Sequence, residues 1–248
     1  MGFKLVVACG GTGGHAFPGL AAAKELASRG HDVTVWMSGR DVESSVLKGW
    51  EGPVFATGAR QLSLKNAFAN LRAILRCRKE MRRAKPDALL AMGSYSSLPP
   101  VLAAAGCKVP VVLHEANTVP GRAVDMLSSM AKAVAISFEE TAQHFPSKET
   151  VLTGLPVRAD IAGQPRFDDI PDDAFCVFVT GGSQGAHRVN EIASKALVLL
   201  NKELSKVGRK LHVIHQTGVK DAEWVAKAYA EAGIPARVNA FEHEMGRA

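Results

Sequence analysis

Aromatic residues fill only 6% of the 248 positions, which counts against a stacking platform for RNA. No apolar run approaches the ~20 residues that a membrane-spanning helix requires, so no transmembrane helix is expected. The four cysteines, Cys9, Cys77, Cys107 and Cys176, form no C-x-x-C pair and show no metal-ligand spacing. They read as thiols of a reducing cytoplasm, not as a disulfide framework or a zinc site. D-x-D is missing from every strand end, which argues against a divalent metal bridging a pyrophosphate. Thr118 spoils the zinc signature H-E-x-x-H that His114 and Glu115 begin. No metal and no cofactor is therefore expected. The opening run MGFKLVVACGG is broken too early by glycine to be a signal peptide and reads as a buried first strand.

What is present describes a folded α/β chain. Hydrophobic residues at 47% and charged residues at 22% suit a globular core. Lysine and arginine number 30 against 24 acids, a formal surplus of +6 that suits an anionic partner: phosphate, nucleic acid or a membrane face. Nucleic acid rests on that charge alone, and none is expected as a partner. Short apolar runs alternate with longer helical stretches, the mark of a parallel sheet. The pattern predicts strands at 3–9, 32–36, 88–91, 109–113, 133–136 and 150–152, with helices at 17–28, 66–84, 99–105 and 121–131. The polar, proline-bearing stretch 156–173 lacks periodicity and reads as a linker, its acid pairs Asp168-Asp169 and Asp172-Asp173 in solvent. The alternation then restarts, with strands at 175–180, 211–215 and 237–241 and helices at 186–204 and 221–232. The expected domains are thus 1–155, a linker at 156–173, and 174–248, the last short of a complete nucleotide-type fold. Two such halves facing each other across a cleft are the expected architecture, with the second incomplete.

Both halves open with the same device of strand, glycine loop and helix. In the first, Gly10-Gly11-Thr12-Gly13-Gly14-His15 places backbone N–H groups and a helix N-terminus where an anion can approach closely. It is not the dinucleotide fingerprint: the spacing differs, and Trp36-Met37-Ser38-Gly39 stands where that motif needs an acid. His15, at the loop–helix junction, is either a general base for a hydroxyl nucleophile or a capping residue without chemistry. The second half repeats the device at Gly181-Gly182-Ser183-Gln184-Gly185-Ala186. Between them, Met92-Gly93-Ser94-Tyr95-Ser96-Ser97 follows a strand with small hydroxyls suited to a phosphate or sugar, though a plain turn explains it too. His114, Glu115 and Asn117 close another strand, the end of a parallel sheet where ligands gather.

The helix from 64 to 84 carries two apolar stripes. Ile74, Cys77, Met81 and Ala84 would face the core. Leu64, Phe68, Leu71 and Leu75 lie on a face roughly 90° away, flanked by Arg72, Arg76, Lys79 and Arg83 and joined by Arg78, Arg82 and Lys85. Either the two stripes merge into one wide buried face, or the second is an apolar patch with a basic rim that docks on an anionic membrane surface.

Taken together, GGTGGH at 10–15, the GSYSS loop at 93–97, HEAN at 114–117, GLPVR at 154–158 and GGSQGA at 181–186 resemble one family, in its order and across essentially the whole chain. That family is the bacterial undecaprenyl-pyrophosphoryl-muramoyl-pentapeptide N-acetylglucosaminyltransferases, the lipid II-forming enzymes. The resemblance implies a GT-B glycosyltransferase, peripheral on the cytoplasmic face of the inner membrane. It would move GlcNAc from UDP-GlcNAc to the C4 hydroxyl of undecaprenyl-linked MurNAc-pentapeptide, with inversion. It assigns donor contacts to Thr12, Gly13, Gly14, Asn117, Arg158 and Ser183, and makes His15 the leading catalytic candidate. Gly11, Ser94, Tyr95, His114 and Glu115 are the expected contacts to the acceptor and its diphosphate lipid. The sequence departs from the family's usual residues at Ser94, Ala116, Val124, Leu155 and Glu242. The family's remaining donor contacts lie past residue 248, so the isolated chain is expected to bind donor poorly. The alternative is a non-catalytic acceptor- or membrane-binding module completed by a partner chain.

Overall fold

The first β-run, Lys4–Ala8 (β1), alternates Val6 and Ala8 with Val7 and, just past its end, Cys9, and both sets are buried. A strand buried on both faces belongs inside a parallel sheet with helices above and below. The structure, a computed structural model, describes residues 2–39, 47, 49–158, 161, 163–182 and 184–248. It divides into two compact units, Met1–Arg158 and Ala159–Ala248.

In the first unit β1 leads through helix α1 (Gly13–Ser28) to β2 (Asp32–Met37) and β3 (Val54–Ala56). Helix α2 (Ala67–Ala84) precedes β4 (Ala88–Ala91), α3 (Leu98–Gly106) precedes β5 (Val111–Glu115), and α4 (Arg122–Ser128) precedes β6 (Ala133–Ile136) and β7 (Glu149–Leu152). The seven strands are ordered β3-β2-β1-β4-β5-β6-β7, all neighbours parallel. The order reverses at β1, so its carboxyl end opens the crevice where ligands of such sheets bind. One face packs Val7, Val33, Val35 and Met37 against Ala16, Leu20 and Ala23 of α1. The other packs Val6, Leu89, Val111 and Leu113 with Cys77 and Met81 of α2 and Val101 of α3.

The sequence reading differs at several edges. Helix α1 begins at Gly13, four residues early, because glycines 13 and 14 take helical dihedrals that their composition does not advertise. Strand β3 is three residues long, too short to show alternation. Strand β5 runs on through His114 and Glu115, whose backbones pair with Ala135 and Ile136 of β6. The α2 core face comprises Asn70, Ala73, Cys77 and Met81, with Ile74 and Ala84 only half-buried. The single wide buried face does not form: Leu64, Phe68, Leu71 and Leu75 are 97%, 71%, 52% and 57% exposed.

The second unit holds β8 (Phe175–Thr180), α5 (His187–Lys206), β9 (Leu211–Gln216), α6 (Ala222–Glu231) and β10 (Ala236–Asn239), in a parallel sheet ordered β10-β9-β8. Val179, Leu211 and Val213 meet Leu197 of α5 and Val225 and Tyr229 of α6. The opposite sheet face is covered from the stretch read as a linker: Phe167 and Ile170, with Ala174 just after it, bury against Ile214. Arg237 caps the Phe167 ring at 3.9 Å and is bonded to Asp169 at 3.0 Å, so that acid is not left to solvent alone. An apolar residue every three or four positions is a weak signal in a proline-bearing segment, and it marks a strap docked on the sheet.

Candidate functional site

The glycine loop after β1 owes its shape to Gly11, whose φ is +114°. A Cβ there would stand 2.9 Å from Ser94 Oγ, so the close approach of the two loops needs glycine. Helix α1 follows with Thr12 as N-cap, but no side chain caps it and its first turn holds no acid. The positive end of the helix is therefore open to an anion beside Gly13 and Gly14.

The loop after β4 braces the first one. Ser94 Oγ donates to the Gly10 carbonyl at 3.0 Å, and Ser96 Oγ donates to the same oxygen. Ser94 adopts φ +66° and ψ 168°, a conformation natural to glycine and costly for serine. Tyr95 begins the short 3-10 turn Tyr95–Ser97 and is half-buried. Ser96 was not singled out from the sequence; one hydroxyl among several small ones carries no mark of its partner.

His15 lies in the first turn of α1, half-buried, with Nδ1 2.8 Å from the Met92 carbonyl. A carbonyl only accepts, so Nδ1 carries the hydrogen and Nε2 of the neutral ring keeps its lone pair. That is the tautomer a general base needs, fixed by the end of β4.

His114 and Glu115 are almost closed off, at 3% and 2% exposure. His114 Nε2–H donates to the Gly154 carbonyl at 3.1 Å, while Nδ1 is buried without a partner among the described residues. Burial, ahead of the opposing pull of the Gly154 bond and the Glu115 charge, lowers the His114 pKa and keeps the ring neutral. Glu115 spends both carboxylate oxygens on the following loop: Oε1 accepts from Asn117 N and Nδ2 at 2.9 and 2.8 Å, Oε2 from Gly121 N at 2.9 Å. What it contributes is the shape of residues 116–121. Thr141, fully buried and not noticed in the sequence, donates to the Asn117 carbonyl at 3.0 Å. Asn117 itself is exposed. Arg158 reaches α1, with its guanidinium 5.2 Å from the Phe17 ring. Thr12, Gly11, Gly13, Gly14, His15 and Arg158 thus gather around the start of one helix, and Ser94 braces the loop before it. His114, Glu115 and Asn117 stand one strand further on.

In the second unit the glycine loop after β8 is locked onto the end of β9. Gly185, at φ +71°, leaves a Cβ only 1.9 Å from the Thr217 carbonyl, so no other residue fits. Gln216 joins three elements: Nε2 donates to Thr180 Oγ1 at 3.1 Å and to the Gly182 carbonyl at 2.8 Å, and Oε1 accepts from Glu242 N at 2.8 Å. The buried Glu242 carboxylate accepts from Asn239 Nδ2 and Glu244 N, each at 2.8 Å. Ser183 lies outside the described residues. Beneath the loop, Asn190 donates to the Thr217 carbonyl and to Asp221, both at 2.8 Å, and accepts from His215 Nε2–H at 3.1 Å. Tyr229 O–H closes the network on His215 Nδ1 at 2.8 Å. Helix α5, like α1, starts without a side-chain cap or an early acid. Among the described residues no group of three or more His, Cys, Asp or Glu side chains is placed to hold a metal ion.

Two parallel-sheet units, each with an open helix N-terminus behind a glycine loop, define a GT-B type glycosyltransferase. Residues 5–136 match the glycosyltransferase family 28 N-terminal domain and residues 176–248 its C-terminal domain. The chain belongs to that family. A relative from Geobacter metallireducens, 38% identical over 99% of this chain and 70% of its own length, is named a UDP-N-acetylglucosamine–N-acetylmuramyl-(pentapeptide) pyrophosphoryl-undecaprenol N-acetylglucosamine transferase. One from Myxococcus xanthus with the same name is 35% identical, over 99% of this chain and 65% of its own. The crystal structure of Acinetobacter baumannii MurG superposes with a TM-score of 0.69 at 30% identity, covering 100% of this chain and 68% of that one. A UDP-GlcNAc 2-epimerase from Neisseria meningitidis reaches 0.72 at 14% identity over 98% of this chain and 73% of its own, a likeness of fold alone.

Proposed function

We propose that this protein transfers GlcNAc from UDP-GlcNAc to the C4 hydroxyl of MurNAc-pentapeptide carried on undecaprenyl pyrophosphate. The observation that carries the chemistry is the His15 ring, held as the Nδ1–H tautomer by the Met92 carbonyl. Its Nε2 lone pair takes the hydroxyl proton as the oxygen attacks the anomeric carbon from the face opposite the diphosphate. One displacement inverts that centre, and UDP leaves. Negative charge growing on a diphosphate is met by the N–H groups at Thr12, Gly13 and Gly14 and by Arg158, while Asn117 completes the donor contacts of this unit. His114 and Glu115 act on the acceptor side mainly through loop shape, since their own polar atoms are buried or taken. Relatives such as one 38% identical over 99% of the chain bear a transferase name, which favours the enzyme over a non-catalytic module. Nothing in this scheme asks for a cofactor.

The exposed stripe Leu64, Phe68, Leu71 and Leu75, with Arg72, Arg76 and Lys79 beside it, supports peripheral attachment to an anionic membrane surface. An apolar patch rimmed by cations suits an interfacial helix, and no described helix is long and apolar enough to cross a membrane. The reading puts the protein on the cytoplasmic face of the inner membrane, where its lipid-linked acceptor lies.

The test is GlcNAc transfer from UDP-GlcNAc to a lipid-linked MurNAc-pentapeptide analogue. His15→Ala is expected to lower kcat about 10²- to 10⁴-fold with a smaller change in KM. Wild-type turnover in that variant would remove His15 as the base.

A further inference from the structure

Arg158 ends the first unit on a segment that burial does not hold. Strand β7 stops at Leu152, and Leu155 and Val157 beyond it are 44% and 68% exposed. Polar contacts pin the segment instead. Thr153 N and Gly154 N donate to the Ile136 carbonyl at 2.9 and 3.3 Å, and the Gly154 carbonyl accepts from His114 Nε2–H at 3.1 Å. Pro156 then restricts the backbone between that anchor and Arg158. At the far end the guanidinium lies 5.2 Å from the centre of the Phe17 ring.

Phe17 is the fifth residue of α1 and is half-buried. Its Cα stands ~6 Å along the axis from Gly13. Helical side chains lean toward the N-terminus, so the ring lies over the first turn and not beside its own Cα. A cation on that ring is therefore close to the positive end of the helix, where the dipole disfavours it. No side chain caps the helix there, and no acid stands in its first turn to offset the repulsion. The π face of Phe17 acts the other way, attracting the guanidinium through the ring quadrupole. A cation kept at the positive end of a helix suits an anion, which would meet both charges at once.

We propose that Phe17 is a positioning residue for Arg158. Its ring keeps the guanidinium beside the first turn of α1, so that a diphosphate entering there meets the cation and the helix N–H groups already in place. The inference rests on the donor reading of this helix start and adds to it a residue that acts only through Arg158. An arginine has much rotamer freedom to lose on binding, and a side chain ordered beforehand loses less of it when the ligand arrives.

The experiment is an NMR titration of the protein with UDP, a method that follows millimolar affinities, reading the Gly13 and Gly14 amides and the Arg158 side chain. Before UDP is added, the ring current of Phe17 should shift the Arg158 side-chain protons upfield. Phe17→Leu stays apolar and should abolish that shift; an unchanged Arg158 spectrum would overturn the proposal. UDP affinity should fall about two- to five-fold in Phe17→Leu, the worth of one exposed cation–π contact, and return in Phe17→Tyr, which keeps the face. In an Arg158→Ala background, Phe17→Leu should cost nothing more. An equal loss in both backgrounds would make Phe17 a packing residue only and overturn its role, as would wild-type affinity in Phe17→Leu. The reading beneath is tested separately. If Arg158→Ala binds UDP like wild type, or wild type shows no shift at Gly13 and Gly14, the donor contact fails and the inference with it. If Arg158→Ala weakens binding while Phe17→Leu does not, only the positioning fails. In the transfer assay the same loss should appear in KM for UDP-GlcNAc, with KM for the lipid-linked acceptor unmoved. Circular dichroism melts check that each variant is folded.

Discussion

At Ser94 a single side chain trades backbone comfort for a brace. Its φ of +66° lies where a Cβ is strained, yet its hydroxyl reaches across to the Gly10 carbonyl and accepts from Ser96 N. Such a conformation costs of order 1–3 kcal/mol, which ~1 kcal/mol for each of the two hydrogen bonds offsets. Ser94→Gly is therefore expected to leave the thermal midpoint nearly unchanged while loosening the glycine loop. The second effect would show as a higher KM for UDP-GlcNAc with kcat nearly kept. A lower midpoint would mean that the hydroxyl outweighs the strain. The sequence marked Ser94 as a departure from the usual glycine but could not say what the hydroxyl does, because its partner lies 84 positions away. His15 shows the same limit. Its place at a loop–helix junction was legible, whereas its tautomer depends on Met92, a residue 77 positions on.

At the scale of the element, α2 separates what periodicity can and cannot decide. The 3.6-residue repeat located two apolar stripes, but both look alike in composition, so only packing tells which is covered. The structure buries Cys77 and Met81 beneath α3 and leaves Phe68 and Leu71 in solvent. The two stripes should answer differently to mutation. Met81→Ala is expected to cost about 2–5 kcal/mol by opening the core, measured by urea unfolding. Phe68→Ser/Leu71→Ser should change stability by no more than about 0.5 kcal/mol each while vesicle binding falls. Strand β5 teaches a related lesson. Its apolar run ends at Leu113, yet pairing with β6 carries the extended backbone through two buried polar residues. Burying His114 and Glu115 is offset by their bonds to Gly154, Asn117 and Gly121, all supplied by loops that no local pattern announces. The linker reading missed Phe167 and Ile170 for the same reason: their partners, Ile214 and Arg237, come later in the chain.

For the molecule as a whole, acid is expected to weaken the second unit through His215 and Asp221. Burial pushes His215 down to about 4, against a modest opposing pull from the Asp221 charge. An unfolded chain protonates this histidine near 6.5. Between those values the unfolded state binds a proton that the folded state refuses, so stability falls as pH drops and levels off below about 4. Asp221 then continues the trend. Hydrogen bonds from Trp224, Asn190 and His187 hold its carboxylate at about 2, so protonation of the unfolded chain below about 4 draws the equilibrium further toward unfolding. Urea midpoints followed at β9 amides should decline through both windows, and His215→Gln should flatten the upper one. A midpoint constant from pH 7 to 4 would show that the network does not discriminate the two protonation states.

Gln216 leaves the second unit with a mechanical consequence. One amide side chain is tied at once to the end of β8, to the glycine loop and to the segment after β10. Segments sharing a fastener cannot loosen one at a time: releasing the Gly182 carbonyl also releases the Glu242 N–H. Hydrogen exchange at Glu242 should therefore slow when a ligand occupies the glycine loop. In Gln216→Ala that slowing should vanish, and the two ends of the sheet should breathe independently.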